Sequence, residues 1–111
     1  MQFSGIATAD DVYQMLKKNF DRAYEGHTRA PFGLYVHAAW FFGYDWRYIG
    51  YKMFLEEITQ LDDVWIVPIE AGLEYRKSPV TNEELLNGTL PAFGCNNFPS
   101  PPQPCRPKSC P

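Results

Sequence analysis

The chain has 111 residues, 45% of them apolar and 16% aromatic, and carries a formal charge of −3. That length admits at most one small domain, and the apolar share excludes a disordered chain. The acidic balance argues against nucleic acid as a partner, since phosphate binding needs a clustered basic surface, and no apolar run approaches the ~20 residues that span a bilayer.

At the amino terminus, Met1-Gln2-Phe3-Ser4-Gly5 lacks the charged start and apolar stretch of a signal peptide, so any export signal is expected outside these residues. Thr8 with Asp11 resembles a capping box with Asp in place of Glu. Val12, Leu16, Phe20 and Ala23 follow at helical spacing, and Gly26 suits the position just past a helix end. These signals predict a helix over 9–25. Pro31 breaks the pattern, and Phe32 to Ala38 is short, aromatic and β-branched with nearly nothing charged. Such a run predicts a strand covered on both faces, as in a parallel sheet.

After Gly43 a second helix is predicted over 45–60. Its apolar stripe reads Trp46, Ile49, Met53, Phe54, Ile58 and Leu61, with Arg47, Lys52, Glu56 and Glu57 opposite. Leu61-Asp62-Asp63 makes a turn, and Val64-Trp65-Ile66-Val67 reads as another buried strand stopped by Pro68. A short helix is predicted over 69–76, ended by Ser78-Pro79. Thr81 with Glu84 forms a second capping box opening one or two turns through Leu86. From Pro91 onward periodicity is lost, and seven of the ten prolines lie there. That composition predicts an extended tail over 91–111.

Helix, strand, helix, strand, helix is the order of an α/β fold with parallel strands. Two parallel strands cannot build a stable sheet alone, so residues 1–90 read as a slice of a larger α/β fold. Cys95, Cys105 and Cys110 are confined to the tail, with nine and four residues between them. No zinc knuckle has that spacing, whereas disulfides of an oxidising compartment suit a proline-flanked cluster. Three is odd, so one thiol is free or pairs outside this chain. Asn87-Gly88-Thr89 is an N-glycosylation sequon in an expected turn.

His37 stands at the carboxyl end of the first predicted strand, where α/β folds place their sites. Strand alternation puts Gly33, Tyr35 and His37 on one face. Two readings are open: a core histidine bonded to a backbone carbonyl, or a general acid tuned by a carboxylate from elsewhere. Trp40, Phe41, Phe42 and Tyr44 follow on the same loop. They either stack on sugar rings or cover the end of the fold. His27 and Arg29 read as loop residues, Asp62-Asp63 as a turn, and Glu56-Glu57 as a solvated face.

Arg29-Ala30-Pro31-Phe32-Gly33-Leu34-Tyr35-Val36-His37-Ala38-Ala39-Trp40, after Asn19-Phe20, resembles the final motif of arthropod-type chitin deacetylases, in the polysaccharide deacetylase family (carbohydrate esterase family four). Asp63-Val64-Trp65-Ile66-Val67 is similar to the strand that follows it there, and Phe93-Gly94-Cys95 to the start of their closing tail. The resemblance covers roughly residues 8–111. It implies a distorted (β/α) barrel, incomplete in this chain, with 1–90 forming its C-terminal part and 91–111 the tail.

It further implies a secreted, divalent-metal hydrolase, with zinc the expected metal, that removes the acetyl group from N-acetylglucosamine units of chitin. His37 matches the acid that protonates the departing amine. Tyr35 falls where bacterial relatives often place a leucine lining the acetate pocket, and Trp40 flanks the sugar site. No TFDD-like segment and no HxxxH pair is present, so no metal ligand is assigned here. The N-terminal part of the barrel is therefore required, and the chain alone is expected to be inactive. The alternative is a non-catalytic carbohydrate-binding or matrix protein derived from a deacetylase.

Overall fold

A computed structural model of the chain describes residues 5–26 and 29–94. They fall into two compact units that meet in sequence between Gln60 and Leu61.

The first unit is built on two helices, α1 (Ala9–Tyr24) and α2 (Asp45–Ile58). The expected capping box starts α1: the Thr8 side chain accepts from the Asp11 amide, and Asp11 accepts in turn from the Thr8 and Ala7 amides at 2.9 and 3.0 Å. These amides hold the Asp11 carboxyl below its ordinary value of 3.8, the Ala7 bond contributing most and the Thr8 side chain next. Glu25 is the C-cap, so Gly26 takes the predicted position past the helix end. Space, not backbone angle, favours glycine there, since a Cβ would come within 2.9 Å of the Arg22 carbonyl oxygen.

Val12, Leu16 and Phe20 of α1 are buried, as are Gly50, Phe54 and Ile58 of α2. Each set recurs every fourth residue, so one stripe packs on the other. The stripe on α2 is rotated from the expected one, because Ile49 and Met53 are 49% and 39% exposed. Gly50 explains the rotation. A Cβ on it would lie 2.6 Å from Cβ of Val12, and closer still to the Ala9 carbonyl oxygen. The helices therefore approach where a side chain is missing, which turns Phe54 and Ile58 inward. Phe20 meets Phe54 edge-on at 5.8 Å and Phe32 at 6.0 Å.

A polar clasp borders this seam. The Tyr13 hydroxyl donates to Glu57, and Lys17 bonds Asp21 at 2.6 Å with Glu57 at 3.8 Å. Glu57 thus reaches across to α1 from a face that stays solvated, its side chain 43% exposed. Its hydrogen bond raises the Tyr13 hydroxyl above its ordinary value, and the bond to Asp21 raises the Lys17 ammonium.

The second unit carries α3 (Ile69–Lys77), α4 (Asn82–Leu86) and a 3-10 turn over Pro91–Phe93. Ala71, Leu85 and Phe93 form its core, with Trp65, Val67, Tyr75, Val80, Leu90 and Ala92 packed against them. Trp65 Nε1 donates to Asn82 Oδ1 at 2.8 Å, which ties the 64–68 segment to the start of α4. The second capping box forms as expected: Thr81 accepts from the Glu84 amide at 3.2 Å, and Glu84 accepts from the Thr81 amide at 2.7 Å. At its other end the Gly88 amide reaches the Leu85 carbonyl and the Thr89 amide the Glu84 carbonyl. That pair of bonds is a Schellman close, and it requires the left-handed φ of +79° at Gly88.

Two expectations differ from what is observed. Residues 32–37 and 64–67 run between helices as predicted, yet neither is paired in a sheet among the described residues. Their cover is partial too: Tyr35 and Val36 are 76% and 43% exposed, and Ile66 is 48% exposed beside half-buried Trp65 and Val67. A strand needs ladder partners for its amides and carbonyls and apolar neighbours for both faces. The described residues supply only a helix pair in the first unit and a small core in the second. The proline- and cysteine-rich tail from Cys95, with its disulfide expectation, lies outside the described residues, as does His27.

Candidate functional site

His37 closes the 29–37 segment and is the N-cap of a 3-10 turn over Ala38–Phe41. Its own backbone is extended, with φ −85° and ψ 141°, and its carbonyl accepts from the Trp40 amide at 2.9 Å. The imidazole is exposed, and no hydrogen bond or ion pair engages it among the described residues. Of the two readings of this side chain, the buried histidine bonded to a carbonyl does not describe it here. Nor is a carboxylate presented to it among the described residues.

Arg47 organises the aromatic loop that follows. Gly43, at φ +82°, reverses the chain so that the 3-10 turn folds onto the first turn of α2. Arg47 Nη1 then donates to the Trp40 carbonyl at 2.7 Å. Its guanidinium lies 4.4 Å from the centre of the Tyr44 ring and 5.3 Å from those of Trp40 and Trp46. Planar, always charged and weakly hydrated, arginine suits such an aromatic nest. Phe41 packs edge-on against Trp40 at 5.0 Å and Tyr51 at 5.3 Å. The loop packs Phe41 onto α2, while Phe42 and Tyr44 of the loop and Tyr48 of α2 stay 75%, 50% and 56% exposed.

Sequence reasoning named Tyr35, His37 and Trp40 and missed Arg47, which it placed on a polar helix face. An arginine among Trp40, Tyr44 and Trp46 was the available signal. The structure brings Trp40 to His37 through the turn hydrogen bond, whereas the Tyr35 ring packs back over Gly33. An open depression of about 690 Å³ runs along the polar face of α1, lined by residues such as Lys17, Asp21 and Glu25. None of the three predicted residues lines it, and it follows the chemistry of a solvated helix face.

Among the described residues, no three His, Cys, Asp or Glu side chains converge as metal ligands would. The donors among the described residues therefore do not fit a divalent metal. Asn87 is exposed at the C-cap of α4, in the second unit.

Over 85 residues the chain is 38% identical to chitin deacetylase 1 of Bombyx mori. Most of this chain is therefore similar to one part of a chitin deacetylase. The match takes in 76% of this chain and 16% of that protein, so the chain spans about one sixth of the relative's length. A match this long leaves only 26 residues outside it, 111 less 85. Tyr35, His37 and Trp40 lie farther than that from either end and fall within the matched stretch. No family model and no solved structure matches the chain.

Proposed function

We propose that this chain is the C-terminal part of a chitin deacetylase-like hydrolase, the closing segments of a (β/α) barrel, in which His37 is the general acid. The observation that carries the reading is 38% identity to a chitin deacetylase across a stretch containing an exposed histidine at the head of an aromatic turn. The barrel accounts for the extended segments 32–37 and 64–67, neither of them in a sheet among the described residues, as strands whose neighbours belong to the rest of the sheet.

Hydrolysis of an acetamide breaks the bond from the carbonyl carbon to nitrogen, and an amine leaves far more readily once protonated. An imidazolium on the loop beyond a strand end gives its proton to that nitrogen. Trp40 offers a flat apolar face to the pyranose ring, and Tyr35 lines the pocket for the acetyl group. Activation of the attacking water, including any zinc or other divalent metal, falls to residues this chain does not carry, and so the chain alone is inactive. The cysteine-rich tail and the sequon support an oxidising, extracellular setting.

A second reading is supported by the exposure of Tyr35, Phe42, Tyr44 and Tyr48: a non-catalytic carbohydrate-binding or matrix protein that keeps the aromatic loop. Acetate release from N-acetylglucosamine oligomers by the complete protein separates the two. Release at rates above a heat-treated control is expected. Retention on insoluble chitin without any release contradicts the hydrolase and favours the binding protein.

A further inference from the structure

We infer that Asn87 is an N-glycosylation site, a reading that rests on the extracellular setting proposed above and not on the reaction. The triplet Asn87-Gly88-Thr89 supplies the acceptor amide and the hydroxyl two residues on. The structure adds three observations. Asn87, Gly88 and Thr89 are all exposed, on the outside of a unit whose core is Ala71, Leu85 and Phe93. No hydrogen bond holds the Asn87 side-chain amide among the described residues, so Nδ2 is not engaged elsewhere. The triplet also closes a helix of only five residues, Asn82–Leu86. So short a helix has little stability of its own, and the triplet lies at its exposed end.

The donor is an oligosaccharide carried on a lipid pyrophosphate. Nδ2 of Asn87 forms a bond to the anomeric carbon of the first sugar as the bond from that carbon to phosphate oxygen breaks. The lipid pyrophosphate leaves with the electron pair, and the amide proton passes to a base of the transferase. In place, the glycan projects from the turn after α4.

The test is the mass of the complete protein secreted from eukaryotic cells, before and after peptide N-glycosidase in heavy-oxygen water. The expected result is loss of the glycan mass, with Asn87 converted to a heavy-oxygen-labelled aspartate. Asn87→Gln and Thr89→Ala each abolish the modification, while Thr89→Ser retains it. A secreted protein with unmodified Asn87, or a protein that never enters the secretory route, overturns the inference. Acetate release measured on the same samples keeps the two proposals apart, since Asn87→Gln is expected to leave the deacetylation rate unchanged.

Discussion

Arg47 shows how one side chain can hold a loop from two directions. Its guanidinium bonds the Trp40 carbonyl and lies against three rings, while the Trp40 amide bonds the His37 carbonyl. The turn that begins at His37 is thereby fastened to the first turn of α2. Arg47→Met removes the hydrogen bond and the charge but keeps an apolar stem. It is expected to loosen the turn by about 1.5–3 kcal/mol, the range for hydrogen bonds to charged groups. The reading is amide hydrogen exchange at Trp40, which should accelerate in Arg47→Met and recover in part in Arg47→Lys. Unchanged exchange in Arg47→Met would mean the rings alone hold the turn. This contact was hidden in the sequence because a 3.6-residue period assigns Arg47 to a face. It does not reveal a preceding loop that folds back over that face at Gly43.

Helix positions and caps were legible because each rests on local signals: Thr8 with Asp11, Thr81 with Glu84, and the stripe through Val12, Leu16 and Phe20. The face that α2 buries was not legible, since apolar residues surround that helix and only packing chooses among them. Gly50 makes the choice. Gly50→Ala gains ~1 kcal/mol of helix propensity, but its methyl group meets a backbone oxygen and Val12 with no room to move. A net loss of about 1–3 kcal/mol is therefore expected from overpacking. Amide exchange along α1 should speed up accordingly, and slower exchange would show that the helices slide apart freely.

Asp11 makes the start of α1 sensitive to acid. Its carboxyl is held below 3.8, so the stability it adds is fully present above that ordinary value. It is lost as the pH falls through the lower value of the folded chain. Helicity followed by circular dichroism should drop over that acid range, and Asp11→Asn should flatten the response. An equal acid response in the variant would assign it to other carboxylates.

Over the whole molecule, the two segments predicted as buried strands carry apolar side chains that the described residues leave uncovered. Tyr35, Val36 and Ile66 are joined in exposure by Ile49, Met53, Ile69 and Leu73. Surfaces of this kind mark contacts with further protein or invite association. By itself the 111-residue chain is expected to melt broadly, without agreement between calorimetric and van't Hoff enthalpies. A sharp two-state melt as a monomer would show that it completes its own fold.

As proposed above, His37 delivers a proton to the departing amine. His37→Ala in the complete protein tests it most directly, with deacetylation of N-acetylglucosamine oligomers and retention on insoluble chitin measured side by side. The predicted result is a fall of about 10²–10⁴ in kcat, the usual share of a general acid, with retention on chitin unchanged. Full activity in His37→Ala would contradict the claim and remove His37 from the reaction.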